Sequence, residues 1–183
     1  MMTVRAARAR KPSSWGILPA STVAAGPMCI FFVAGVSGEC AGVSVAAIDT
    51  NIISALWAAE PTAERIVVML GKLDRAGGLT IAAPAYAELL AYPGATPEFV
   101  DGFLESTRAV VDFRLDEAIW REAGLRFAKY AVRRRSSRAG APRRLLADFI
   151  IGAHALLRAD RLLTLDVPLY ARDFPDLKLI TCA

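Results

Sequence analysis

Residues 143–166 read RRLLADFIIGAHALLRADRLLTLD. They spell an amphipathic helix followed by a short buried strand. Leu145, Leu146, Phe149, Ile150, Ala153, Leu156 and Leu157 recur at the spacing of one apolar helix stripe. Asp148 stands beside that stripe, on a row with Leu145, Gly152 and Ala155. A carboxylate so close to a core-facing surface is costly to bury unless something pairs with it. Gly152 and Ala155 are small, so the row leaves room for another group. The helix is expected to end near Arg158–Ala159. Leu162, Leu163 and Leu165 then form a strand with Asp166 at its far end. On this reading Asp148 and Asp166 belong to one pocket.

Upstream, the pattern becomes regular at Val43. Val43–Ile48 reads as a buried strand stopping at Asp49-Thr50-Asn51, where Thr50 or Asn51 can cap a helix carrying Ile52, Ile53, Leu56 and Trp57. Glu60-Pro61 breaks that helix. A second runs from Thr62 to about Arg75, and Gly77-Gly78 turns the chain into a strand at Leu79–Ala83. Pro84 opens a helix, where its missing N–H does no harm, and Glu88 lies in that helix's second turn. Residues 97–108 read as helix, Ala109–Phe113 as strand, and Asp116 to about Arg135 as a long helix. Ser136–Pro142 is an arginine-rich polar loop. Pro168, Tyr170 and Phe174-Pro175 are expected in an irregular connection ahead of a last strand at Leu177–Thr181.

Strands alternating with helices predict a three-layer α/β/α sandwich around a mainly parallel sheet. Functional groups in such sheets gather beyond the carboxyl ends of the strands. Asp49, Glu88 and Asp166 all follow predicted strands. Asp148 precedes one, on a helix able to lay it over the same edge.

The chain has 183 residues, 55% of them hydrophobic, enough for one domain with a sizeable core. Its formal charge of +4 is unevenly spread. Residues 1–42 hold Arg5, Arg8, Arg10 and Lys11 against Glu39, and residues 43–183 are nearly neutral. Within the latter, Arg133, Arg134, Arg135, Arg138, Arg143 and Arg144 crowd together, a local basic patch rather than a basic protein. Cys29, Cys40 and Cys182 make neither a disulfide framework nor a metal spacing, which suits a reducing cytosol.

Residues 1–42 differ from the rest. A basic start precedes an uncharged stretch from Trp15 to Ser37 that resembles a secretory leader, interrupted by Pro19, Gly26 and Pro27. The expectation is an extension, either a start assigned upstream of a true one near Met28 or Val43 or a disordered segment. A leader, an anchor and a structured arm are the alternatives. The domain proper is residues 43–183.

Familiar catalytic motifs are absent: no GxGxxG after a strand, no GxxxxGK[ST], no HExxH. The single histidine, His154, is expected to be structural or on the surface. One histidine with scattered cysteines cannot make a zinc site. Asp49, Glu88, Asp148 and Asp166 remain. Converging carboxylates repel, and protonation or a cation must relieve them. Oxygen-only ligands select a hard ion, Mg²⁺ or Mn²⁺. Such an ion also takes phosphate oxygens and can activate water for in-line attack on phosphorus. Arg143 and Arg144 are the expected contacts to a polyanionic backbone. Asp112, Asp116, Asp160, Asp173 and Asp176 are expected as caps or surface charge.

The pieces IDTNII around Asp49, AYAELL around Glu88, the long 143–166 stretch, and Tyr170 with FPDLKLI carry a resemblance. From Val43 to Thr181 the chain resembles the PIN-domain ribonucleases, specifically VapC-type toxins of bacterial toxin–antitoxin pairs. The resemblance implies a cytoplasmic Mg²⁺- or Mn²⁺-dependent endoribonuclease acting on structured RNA. Asp49, Glu88, Asp148 and Asp166 match the family's acids, with Asp49 and Asp148 as direct metal ligands and Thr50, Asn51 and Thr164 in support. It also implies a homodimer and a cognate antitoxin, with no membrane involved. Two alternatives stand beside it: a catalytically inactive PIN-like binding module, and a receiver-type phospho-switch. The latter wants paired acids at the first strand and a late lysine, whereas only Asp49 and Lys178 are at hand.

Overall fold

A computed structural model describes residues 44–136 and 145–182. The residue 1–42 extension, Arg138, Arg143 and Arg144 lie outside the described residues. The apolar run ahead of Asp49 is a strand because both its faces are covered: Ala46, Ala47 and Ile48 are all buried. It is shorter than the sequence suggests, Ala46–Ile48, and is β1. There follow α1 (Thr50–Trp57), α2 (Ala63–Ala76), β2 (Leu79–Ala82), α3 (Ala83–Leu90), α4 (Pro97–Thr107) and β3 (Ala109–Asp112). Then come α5 (Glu117–Ser136), α6 (Leu146–Arg158), β4 (Arg161–Leu163), α7 (Val167–Asp173) and β5 (Leu179–Ile180).

The strands stand in the order β3-β2-β1-β4-β5, and each neighbouring pair is parallel. Ala46 pairs with Leu79 on one side and Arg161 on the other, and Ile48 pairs with Leu163. The chain steps from β1 to β2 to β3 in one direction, then returns past β1 to β4 and β5. Right-handed crossovers therefore send α1–α4 to one face and α5–α7 to the other, the expected three-layer sandwich. The packing agrees: α1 meets α2 and α3, α3 meets α4, and α5 lies along α6, which crosses β1, β2 and β4. The reversal of direction between β1 and β4 is a topological switch point, where two neighbouring strands send their connections to opposite faces and leave a crevice.

Three expectations need correction. Val167–Asp173 is a helix, not an irregular connection, because the Asp166 carboxylate accepts from Leu169 N–H and caps it, and Pro168 falls in the tolerated first turn. The helix α6 is not striped: Phe149 through Ala155 are buried without a break, while Leu145, Leu146 and Leu157 at its ends are exposed. Sheet, α5 and α3 all pack against it. Asp173 is buried rather than a surface charge, because α7 turns it toward α5, where Arg133 and its neighbour Arg172 pair with it.

The small row on α6 does receive another group, and that group is Phe174. A Cβ on Gly152 would lie 2.5 Å from the Phe174 ring. Phe149 and Tyr170 pack on the same ring at centroid distances of 6.2 and 6.0 Å, and the Arg126 guanidinium covers it at 5.0 Å. His154 is buried, its Nε2 3.3 Å from Asp112 Oδ2 but off hydrogen-bond alignment. Burial lowers its pKa, against the pull of Asp112, so it is a neutral structural residue.

Candidate active site

Parallel register puts the carboxyl ends of β1, β2 and β4 on one sheet edge, and the four acids meet there. Asp49, Glu88, Asp148 and Asp166 line a single cleft of about 300 Å³, with Thr50, Asn51, Ser54 and Leu169. Asp49 leaves β1 with its N–H on Leu163 O at 3.0 Å, so the β1–β4 ladder holds its backbone. It occupies the N-cap position of α1 without making the usual side-chain capping bond. The carboxylate turns across the switch point instead. Thr164 Oγ1 and Asn51 Nδ2 each donate to Asp49 Oδ2 at 2.6 Å.

Asn51 joins the two strands. Its Nδ2 also donates to Thr164 Oγ1 at 3.2 Å, and its Oδ1 accepts from Leu165 N–H at 3.0 Å. Thr164 Oγ1 in turn accepts from Asp166 N–H at 3.0 Å. The sequence-assigned supporting residues thus form one network that fixes Asp49 relative to the β4 end. Thr50 serves the other side, donating to Glu88 Oε2 at 2.6 Å. Asp148, third residue of α6, accepts from Leu145 N–H at 3.0 Å; leucine has no side-chain acceptor, so only this return half of a capping box exists.

The electrostatics match the geometry. Asp49 is 5% exposed, and its pKa is raised from 3.8 to about 6. Burial is the largest cause; the Thr164 hydroxyl opposes it, and the charges of Asp148 and Glu88 push the value higher. All four carboxylates also act on the Tyr170 phenol, whose pKa stands well above 10, chiefly through burial.

The donor set is oxygen-only, as a hard divalent ion requires. Among the described residues, no three histidine, cysteine or acidic groups stand ready as a metal cage. The outer carboxylates instead rest on their own donors: Glu88 on Thr50, Asp148 on Leu145 N–H, Asp166 on Leu169 N–H. The residues fit the charge and hardness of such an ion, and the Asp49 environment shows the repulsion that a cation would relieve.

Ser54 escaped the sequence reading. Ser54 lies one helical turn beyond Thr50, a spacing that placed it on the same face.

The PIN domain profile matches residues 46–175, most of the chain. The chain belongs to the PIN-domain family. That removes the receiver-type alternative. Comparison with curated proteins gives no significant match. In structure, this PIN domain is similar to VapBC-1 from nontypeable Haemophilus influenzae, at 26% identity and a TM-score of 0.54, over 75% of this chain and 98% of that one. It shares its fold with VapBC2 from Rickettsia felis bound to a DNA fragment from their promoter, at 17% identity and a TM-score of 0.57, over 75% and 98% of the two chains. It shares it also with FitAB bound to an IR36 DNA fragment, at 19% identity and a TM-score of 0.52, over 75% and 94%.

Proposed function

We propose that this PIN domain is a VapC-type toxin, a Mg²⁺- or Mn²⁺-dependent endoribonuclease. The observation that carries the reading is the meeting of Asp49, Glu88, Asp148 and Asp166 in one cleft at the switch point, with Asp49 buried. Asp49 and Asp148 would hold the ion directly. When bound, the ion supplies a Lewis acid for phosphate oxygens and a means of activating water. Glu88, steadied by Thr50, and Asp166, steadied by its place at the head of α7, would orient the attacking water, and one of the two carboxylates would take its proton. Asn51 and Thr164 hold Asp49 still while its charge is compensated.

The likeness to VapBC-1 supports a cognate antitoxin as partner. RNA as substrate, a homodimer and a cytoplasmic location belong to the same proposal. Arg143 and Arg144 remain the proposed backbone contacts. No helix among the described residues is long and apolar enough to cross a membrane.

The test is incubation of total cellular RNA with the purified full chain, freed of any antitoxin, in Mg²⁺ or EDTA, beside Asp49→Ala. Discrete cuts that need both metal and Asp49 support the nuclease, and fragment-end sequencing identifies the bond. A folded protein that cuts nothing turns the reading to an inactive binding module.

A further inference from the structure

The last turn of α5 carries Arg133, Arg134 and Arg135. Contacts at both ends of the helix fix where that turn lies. Arg158, the last residue of α6, pairs with Asp116 just ahead of α5. Near the other end, Phe127 and Tyr130 pack on Phe149 with ring centroids 5.2 and 5.4 Å away. The two helices therefore run antiparallel, and the end of α5 lies at the start of α6. There Phe149 is the chain neighbour of Asp148, which lines the acidic cleft. Arg133 ties the same turn to Asp173, about 10 Å along α7 from the cleft's Asp166.

The arginines of α5 differ in what they meet. Arg121 pairs with Glu117, Arg126 with Glu122 and Arg133 with Asp173. Arg134 and Arg135 make no ion pair among the described residues, and positions 136–144 contain no acid to neutralise them. Arg134 follows Tyr130 by four positions, so it leaves α5 on the face turned to α6, where it is half-buried; Arg135 is exposed. The carboxyl end of a helix favours a cation only modestly at the surface, and Arg133 already stands there. Adjacent guanidiniums without acids repel each other, and an anion from outside relieves them. Arginine grips phosphate oxygens through two parallel bonds, and such contacts place a nucleic-acid backbone without reading its sequence.

We propose that Arg134 and Arg135 form a phosphate-binding strip beside the acidic cleft, positioning an RNA backbone so that the phosphate to be cut reaches Asp49 and Asp148. The proposal rests on the metal-dependent nuclease reading. The two arginines hold flanking phosphates and leave the metal and the chemistry to the acids, so they act on RNA binding alone.

The test uses Arg134→Gln and Arg135→Gln in the full chain, singly and together. Beside them stands Arg75→Gln, which removes a charge from the last turn of α2, at the opposite, amino edge of the sheet. Binding of a fluorescent single-stranded RNA is titrated against salt in EDTA, and cleavage in Mn²⁺ is resolved into kcat and KM. Each substitution at the strip should flatten the slope of log affinity against log salt by about 0.7, and the pair by about 1.4. KM should rise with kcat and Mn²⁺ affinity unchanged. The melting temperature should hold, because glutamine suits a helix and no ion pair is lost. Arg75→Gln should keep the wild-type slope and KM. A wild-type slope in the double variant overturns the proposal and leaves the arginines to solvent or to a protein partner. An equal flattening in Arg75→Gln also overturns it, since net charge then explains the effect. A wild-type protein that binds RNA but cuts nothing in Mn²⁺ overturns the nuclease reading, and the positioning role with it.

Discussion

The hydroxyl of Thr164 donates to Asp49 Oδ2 at 2.6 Å, joining residues 115 positions apart in the chain across the seam between β1 and β4. Thr164 Oγ1 itself accepts from Asn51 Nδ2 and from the Asp166 N–H. One hydroxyl therefore sets two acids and one amide at once.

Thr164→Val keeps the shape and removes all three bonds. The variant should lose about 1–3 kcal/mol of stability, the cost of leaving buried partners unpaired. Losing a donor also drives the Asp49 pKa higher, so the acid limb of the cleavage profile should move to higher pH. Urea unfolding and a pH–rate profile measure the two effects separately.

The pH dependence of Asp49 has a definite sign. Its folded pKa of about 6 exceeds the ordinary 3.8, so the native state binds the proton more tightly than the unfolded chain. This group adds stability as pH falls through about 6, fully so below 3.8, and withdraws it toward neutrality, over a span on the order of 3 kcal/mol. In EDTA, wild type should lose more stability than Asp49→Asn between about pH 5 and about pH 7. Metal uptake needs the carboxylate and runs the other way: Mn²⁺ affinity should decline as pH falls through about 6. Equal slopes for the two proteins would remove the assignment.

Asp148→Asn separates charge from architecture. The amide oxygen can still accept from Leu145 N–H, so α6 should keep its cap and the protein its melting temperature. Metal-dependent cleavage should drop to background. Undiminished cutting in this variant would remove Asp148 from the metal ligands.

Gly152→Ala asks what the small row on α6 is for. Its Cβ would lie 2.5 Å from the Phe174 ring, which Phe149, Tyr170 and Arg126 pin from other sides. With little room for the ring to move, the substitution should destabilise by about 1–3 kcal/mol. Denaturant midpoints report it, and a neutral result would mean that the C-terminal segment shifts freely.

Local chemistry determined a good deal by itself. The apolar run at Ala46–Ile48 and the Asp-Thr-Asn after it mark a buried strand passing into a helix, and Pro84 and Gly77-Gly78 punctuate the next unit. Alternating elements of that kind leave a parallel sheet as the economical solution, and acids following its strands fall on one edge. Periodicity reports only how one element repeats, however. It read α6 as striped, because it could not tell that sheet, α5 and α3 would all pack against that helix. It left His154 open between core and surface, took Asp173 for surface charge, and missed α7. Those outcomes depend on which distant groups arrive: Asp112 for His154, Arg133 for Asp173, Phe174 for Gly152. Asp49 shows the division most sharply. Its position at the end of β1 is written in six neighbouring residues. Its burial, its bond to Thr164 and its raised pKa exist only because the chain crosses back over its own first strand to lay β4 beside it.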